Sequence, residues 1–345
     1  MQQVWIPRIG RPDVLEVREV AAPTPAPGEV RVAVAAAGVN FADLMARQGL
    51  YPDAPPLPAV VGYEVAGTID AVGAGVSPGR VGERVVAMTR FGGYSAAVCL
   101  PSDRAVALPD GVDLRVAAGV PVVFLTAWML CEVMGRVRAG DRVLVHSAGG
   151  GVGLAALDLL RWRGATAFGT ASAAKHPALL ARGYARLIDY TTTDFATALA
   201  DEEGFDLILD PVGGASWEKG LGLLRAGGRL AVFGMSSNAV GTRRNPVAVA
   251  KNLWAVPWRQ MSPLGLIDHN RGVLGVNMGH LWHEGPRVTG WLTELLALWA
   301  DGVLRPTLDA AFPFSRAHEA HQRLHDRGNL GKVVLVPDDR WDETR

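Results

Sequence analysis

The stretch R-V-L-V-H-S-A-G-G-G-V-G-L-A-A-L-D-L-L, residues 142 to 160, limits the possible folds more than any other part of the chain. A β-branched and leucine run enters a glycine cluster and leaves through an apolar helical segment, which reads as strand, tight turn, helix. Backbone N–H groups can approach a pyrophosphate at such a turn only if bulky Cβ substituents are absent, and the helix N-terminus adds its partial positive charge. Gly150, Gly151, Val152 and Gly153 form the candidate cradle. Gly150 and Gly153 fill the two places where a side chain would collide with phosphate or with the packed strand. An isolated glycine motif is weak evidence, so its surroundings decide the reading.

Those surroundings repeat one pattern. Apolar runs at 142–146, 166–169, 186–189, 206–210, 229–233 and 273–276 read as strands, and segments 151–163, 173–181, 194–200 and 216–224 between the first five read as helices. Alternating strands and helices imply parallel pairing with right-handed crossovers, hence an α/β fold with a doubly wound sheet of the Rossmann type. Six strands complete a dinucleotide-binding domain. Residues 4 to 108 differ: short apolar runs are broken by P-x-P, P-G and G-G, the texture of a β region with few helices. A helix is expected over 124–134, two more over 288–300 and 316–327, and the strand G-K-V-V-L-V-P should rejoin the N-terminal β region. The domain reading is 1–119 with 280–345 for the β-rich part and 120–279 for the dinucleotide-binding part. The tail D-D-R-W-D-E-T-R reads as frayed.

The chain of 345 residues is long enough for two cores. Its formal charge is zero, and basic runs stop at pairs such as Arg243-Arg244, so a nucleic acid is not an expected partner. Cys99 and Cys131 are too few for a disulfide framework or a four-cysteine zinc site, which fits a reducing, cytoplasmic setting. The N-terminus lacks the pattern of an export signal. The most apolar window, 117–131, is broken by Gly119, Pro121 and Thr126 and falls short of the roughly 20 residues a spanning helix needs, so no stable membrane insertion is expected.

Dinucleotide binders that use NAD place an acid at the end of the second strand. Here that strand ends A-F-G-T-A-S-A-A-K-H, with no acid. Ser172 and Lys175 offer a hydroxyl and an ammonium to a 2′-phosphate, and Tyr190 lies where it could cover the same end, so NADPH is favoured over NADH. The alternative is that Ser172 and Lys175 only open and solvate the next helix. Phe233 and Gly234 end the fifth strand and Asn277 follows the sixth, where open α/β sheets place their ligands.

Five stretches carry a resemblance that covers essentially the whole chain: A-A-G-V-N-F-A-D (36–43), V-G-Y-E-V-A-G (61–67), H-S-A-G-G-G-V-G (146–153), G-F-D-L-I-L-D-P-V-G-G (204–214) and G-N-L-G-K-V-V-L (328–335). The chain resembles the medium-chain dehydrogenases and reductases, in the zinc-free quinone oxidoreductase branch that includes zeta-crystallin. Its Trp-rich connection followed by V-N-M-G-H-L-W looks most like the vesicle amine transport protein subgroup. The resemblance implies a GroES-like, partly β-barrel catalytic domain beside the Rossmann domain, and a homodimer formed by pairing Rossmann sheet edges. It also implies cleft roles for Asn40, Asp43 and Tyr51, with Tyr51 or water as proton donor, Thr126 near the nicotinamide ribose and Lys332 reaching the pyrophosphate. On local chemistry alone, Asn40 is a helix cap, Asp43 a first-turn carboxylate and Tyr51 a loop aromatic.

Zinc-using members carry a cysteine before the first helix and a histidine-glutamate pair after the V-G. This sequence has Asn40 near the first place and Tyr63 where the histidine would be, so no metal is expected and Glu64 should brace the cleft floor. Without a Lewis acid, oxidation of an alcohol lacks its main stabiliser. Reduction of an activated C=C bond needs only hydride and hydrogen-bond donors for the enolate oxygen. The expected substrate is an enone, a quinone or, as the alternative, an enoyl thioester of a biosynthetic pathway. A cofactor-binding, membrane-associated protein with little turnover is the reading from another class, motivated by Trp254, Pro257 and Trp258. That Trp-rich connection reads as a pocket wall or a subunit interface. His318, His321 and His325 share one helical face that reads as solvated, as does H-L-W-H, although His280 could border the cleft.

Overall fold

The computed structural model describes residues 1–239, 241–242 and 245–341. The Arg243-Arg244 pair and tail residues 342–345 lie outside the described residues. The first part of the chain runs β1 (Gln2–Trp5), β2 (Glu16–Glu19), β3 (Glu29–Val39), α1 (Phe41–Arg47), β4 (Glu64–Val72), β5 (Arg84–Met88), β6 (Ala97–Pro101), β7 (Val106–Ala107) and α2 (Leu114–Ala117). The middle runs α3 (Pro121–Trp128), β8 (Arg142–Val145), α4 (Gly151–Arg163), β9 (Thr166–Thr170), α5 (His176–Arg182), β10 (Arg186–Ile188), α6 (Phe195–Ala198), β11 (Phe205–Asp210), α7 (Ala215–Leu223), β12 (Leu224–Val232), α8 (Pro246–Trp254), α9 (Pro263–His269) and β13 (Gly272–Gly275). The last part adds α10 (Gly285–Ala300), β14 (Leu308–Pro313), α11 (Ala317–His325) and β15 (Lys332–Val336).

Six strands form one parallel sheet in the order β10-β9-β8-β11-β12-β13. Strand order reverses between β8 and β11, and the crevice beyond their carboxyl ends is where such sheets bind ligands. β11, F-D-L-I-L-D, is buried at all six positions, as a central parallel strand covered on both faces must be. α4 keeps the expected bounds because its interior is apolar nearly all round and Gly164, at φ 75°, closes it in the left-handed region.

The second sheet has the order β14-β15-β3-β4-β5-β7, with β6 also on β3. β15 pairs antiparallel with β3, so the last strand of the chain rejoins the first β region and holds Val333 opposite Val39. Both chain ends therefore build the wall that carries Asn40.

Some elements differ from the periodicity. The helix expected over 124–134 begins at Pro121 and opens into a wider turn at Met129–Val133. α10 starts three residues early, with Pro286 in its first turn, where proline's fixed φ suits a helix and its missing N–H costs nothing. The tail is not frayed at its start, because the Asp338 carboxylate accepts from Ser315 N (3.0 Å), Ser315 Oγ (2.9 Å) and Gln2 Nε2 (3.2 Å).

Candidate active site

One cavity of about 1370 Å³ runs between the two sheets and reaches the glycine turn. Gly150, Gly151, Val152, Gly153, Ser172, Lys175, Tyr190, Phe233, Gly234, Asn277, Thr126, Asn40, Tyr51 and Lys332 all line it. Of the expected site residues, Asp43 alone is absent from its wall.

The glycine turn leaves β8 and caps α4 through Gly150. A Cβ on Gly153 would lie 2.6 Å from the Ser147 carbonyl oxygen and 2.7 Å from that of Ala148, so the packing of α4 against the turn excludes any side chain there. At the far side of the turn, Gly331 N donates to Gly149 O (2.9 Å), which seats the start of β15 beside the cradle. Lys175 reaches across to the Asn329 carbonyl (2.5 Å), and burial lowers the pKa of its ammonium. The Arg327 guanidinium lies 5.8 Å from the centre of the Tyr190 ring. Sequence reading missed Arg327, whose place beside Tyr190 depends on the turn after α11, where it takes a left-handed φ of 53°. Ser172, Lys175, Tyr190 and Arg327 thus form a polar, basic group on one cavity, suited to a phosphate monoester.

Glu64 is the hub at the other side. Its Oε1 accepts from Asn40 Nδ2 (2.9 Å) and pairs with Lys332 Nζ (2.6 Å), while Oε2 accepts from Val122 N (2.7 Å) in the first turn of α3. One buried carboxylate therefore ties the β3–α1 corner, β15 and α3 together, and α3's N-terminal dipole favours its charge. Lys332 also donates to Asn40 Oδ1. The expectation that Lys332 reaches the pyrophosphate is corrected: its ammonium is buried against Glu64 and Asn40. Asn40 is correspondingly a positioned group, its carboxamide held at both ends. Thr126 lines the cavity and donates its hydroxyl back to Val122 O (2.6 Å), so its oxygen can serve only as an acceptor while that bond holds.

Asp43 is also corrected. It is fully buried on the inner side of the first turn of α1 and accepts from Asn40 N (2.8 Å), Gly62 N (3.0 Å) and the Tyr94 hydroxyl (3.0 Å). Burial raises its carboxyl to about 7. It positions the Asn40 corner without touching the cleft.

Behind it runs a polar chain that the sequence did not suggest. Arg47 Nε donates to His321 Nδ1 (3.3 Å), so the His321 proton sits on Nε2 and points at Tyr94 Oη (3.2 Å), whose own proton goes to Asp43. Arg47 also meets His325 Nε2 and donates to Gly10 O (2.5 Å). The face with His318, His321 and His325 is therefore not uniformly solvated: His321 is fully buried, His325 is half-buried against Arg47, and His318 is exposed. Among the described residues no group of three His, Cys, Asp or Glu is placed to hold a metal ion.

Tyr51 stands edge-on to Tyr63, with ring centroids 6.0 Å apart and planes at 82°. Its hydroxyl would lie 3.1 Å from a Cβ on Gly279, and its loop is held by Asp53, which accepts from His280 Nε2 (2.9 Å) and Asn277 Nδ2 (3.4 Å). Met88, Met278, Leu281 and Trp282 close this side with apolar surface. Burial and the Asp53 charge raise the Tyr51 phenol to about 12, so it keeps its proton at neutral pH. The Trp-rich connection is no pocket wall. None of 246–269 lines the cavity, and α8 supports the wall from behind through Asn252 Nδ2 to Asn238 Oδ1 (2.9 Å).

A parallel dinucleotide sheet and a β-rich domain closed by both chain ends, with the cleft between them, define the architecture of the medium-chain dehydrogenases and reductases, and comparison with known proteins agrees. The alcohol dehydrogenase GroES-like domain matches residues 26–110 and the zinc-binding dehydrogenase family matches 182–335. The human synaptic vesicle membrane protein VAT-1 homolog is 40% identical over 328 residues, which is 94% of this chain and 82% of that protein. The Escherichia coli quinone oxidoreductase complexed with NADPH is 29% identical and superposes with a TM-score of 0.84 over 98% of this chain and all of its own. The CurK enoyl reductase is 27% identical, with a TM-score of 0.82 over 97% and 99% of the two chains. The chain belongs to the medium-chain dehydrogenase/reductase superfamily, in the quinone-oxidoreductase-like branch of the VAT-1 homologues.

Proposed function

We propose that the protein is an NADPH-dependent, metal-free oxidoreductase that reduces the C=C bond of an α,β-unsaturated carbonyl compound or a quinone. The observation that carries this reading is the single cavity that joins a phosphate cradle, a basic 2′-phosphate group and an apolar compartment under Tyr51. Gly150 to Gly153 and the α4 N-terminus would hold the pyrophosphate, Lys175 and Arg327 the 2′-phosphate, and Thr126 the nicotinamide end. The bound cofactor supplies hydride. The chain's own part is to exclude water with Met88, Met278 and Trp282, to hold the carbonyl oxygen by hydroxyl donation from Tyr51, and to fix that geometry through Asn40, Glu64 and Lys332. Protonation of the α-carbon comes from Tyr51 or water. Asn40, bound at both ends of its carboxamide, and Tyr63 offer no metal-ligating pair beside Glu64, which supports the metal-free assignment.

The same proposal places the protein in the cytoplasm as a homodimer. Two free thiols support a reducing compartment, and the unpaired outer edge of β13 supports sheet pairing between copies. No described helix is long and apolar enough to cross a membrane. Exposed Trp254 and Trp258, at 89% and 67%, favour the second reading, a vesicle-associated protein with little turnover. The deciding experiment follows NADPH oxidation with 2-cyclohexen-1-one, 1,4-benzoquinone and crotonyl-CoA, beside co-sedimentation with phosphatidylserine vesicles. Turnover of either of the first two supports the proposal. Turnover of crotonyl-CoA alone moves it to enoyl thioesters, and vesicle binding without any turnover overturns it.

A further inference from the structure

Tyr51, the hydroxyl donor of the proposed reaction, sits on a loop with little hold of its own. Leu50 N donates to Met45 O (2.8 Å), and a turn bond from Ala54 N to Tyr51 O (3.1 Å) fixes residues 51–54 relative to one another. Beyond these, the only side-chain hydrogen bonds of residues 51–58, among the described residues, are those of Asp53. Both run from the β-rich domain to the connection that follows β13: Asp53 Oδ2 accepts from His280 Nε2 (2.9 Å) and Asn277 Nδ2 (3.4 Å).

That connection is held at both ends. Val276 N donates to Val232 O (3.0 Å) at the edge of the parallel sheet, and Arg104 Nη2 donates to Trp282 O (3.0 Å) with its guanidinium 5.0 Å from the centre of the Trp282 ring. Between these anchors Asn277 uses both ends of its carboxamide, because Oδ1 accepts from Gly279 N (2.9 Å) while Nδ2 reaches Asp53. Asp53 thereby clips the Tyr51 turn to a fixed wall. The His280 and Asp53 side chains are 64% and 38% exposed, and an exposed pair holds only weakly, which suits a clasp that opens for a ligand better than a support of the fold.

Gly279 shows where the clip puts the phenol. Its φ lies outside the left-handed region, so the turn does not itself need glycine. A Cβ there would lie 3.1 Å from the Tyr51 hydroxyl oxygen, closer than such contacts normally come, and the missing side chain leaves the space that the phenol occupies. The Tyr51 hydroxyl has no hydrogen-bond partner among the described residues and, unlike the Tyr63 hydroxyl, is not closed to water. Met278, Gly279 and His280 line the same cavity, so the hydroxyl stands at its wall with its proton free for an acceptor in the compartment.

We propose that Asp53 and His280 are positioning residues: they clip the 51–54 turn against Gly279 and so set where the Tyr51 hydroxyl meets the carbonyl oxygen of the substrate. The inference rests on the reductase reading above and extends it to residues that act only through Tyr51. When the clip is lost, the oxygen loses its placed donor, while the cradle at Gly150–Gly153 keeps its hold on the cofactor.

The test is a double-substitution cycle of Asp53→Ala with Tyr51→Phe, assayed with NADPH against 2-cyclohexen-1-one and 1,4-benzoquinone, together with NADPH affinity. Asp53→Ala is expected to lower kcat by roughly 10- to 100-fold while Tyr51 is present, the cost of a misplaced catalytic group, and to change NADPH affinity little. In the Tyr51→Phe background it should lower kcat hardly further. Gly279→Ala, which crowds the hydroxyl, should show the same dependence on Tyr51, and Asp53→Asn, which still accepts from His280, should stay close to the wild type. Equal losses in both backgrounds, as a merely structural contact would give, overturn the inference, as does a Tyr51→Phe variant with full kcat, and either result leaves the reductase reading standing. If the wild type reduces neither compound, the reductase reading fails by itself, and the same cycle is read from cyclohexanone binding to the NADP⁺-loaded protein. Losses that do not add then support the clip, and additive losses or no binding overturn it.

Discussion

Glu64 and Lys332 form a buried ion pair, Oε1 to Nζ 2.6 Å, that spans 268 positions of sequence and joins the two ends of the chain beneath the cleft. Glu64 is fully buried and Lys332 nearly so, so the charges depend on each other and on Asn40 and Val122 for most of their solvation.

Glu64→Gln should therefore be strongly destabilising. It leaves the Lys332 ammonium buried without a counter-charge, a change that costs about 3–5 kcal/mol. A large drop in the urea midpoint is expected, and pairing the change with Lys332→Met should restore part of it. A double variant no more stable than Glu64→Gln would contradict the coupling.

Gly153→Ala tests the turn. The added methyl meets backbone carbonyl oxygens of Ser147 and Ala148 rather than a side chain that could swing aside. Overpacking of this kind costs about 1–3 kcal/mol. Thermal unfolding should show it, accompanied by weaker binding of NADPH and NADH alike.

The doubly wound sheet was legible because its periodicity and its glycine turn are local properties, and α4 matched residue by residue. The places of Phe233 and Gly234 on the cavity wall, at a strand end, were legible for the same reason. What escaped was set by distant pairing. Nothing near Lys332 in sequence announces Glu64, and the H-x-x-H-x-x-x-H spacing of α11 looks solvated until Arg47 and Tyr94 are packed against it. Asp43 followed the same rule: its first-turn position was readable, but its burial under Tyr94 was not.

The proposed 2′-phosphate site predicts a selective loss. Arg327→Ala or Lys175→Glu should weaken NADPH binding by roughly 10- to 100-fold, the worth of one charge-assisted hydrogen bond, with little change for NADH. Equal losses for both cofactors in fluorescence titrations would remove the assignment.

The buried chain from Asp43 to His325 predicts opposite pH effects from its two ends. Burial and the Arg47 charge lower His325 to about 4, against about 6.5 unfolded. Between those values the unfolded chain binds a proton that the folded chain refuses, so this contribution to stability is lost as pH falls from 6.5 through about 4. Asp43 behaves in reverse, because burial raises it from 3.8 to about 7 and the folded chain holds the extra proton. Its contribution is present at low pH and is lost as pH rises through about 7. His325→Gln, which can still accept from Arg47, should therefore lose less stability than the wild type between about pH 7 and about pH 4.5, and Asp43→Asn should lose more. Urea midpoints at the two pH values measure both, and shifts of the same sign in the two variants would refute the linked network.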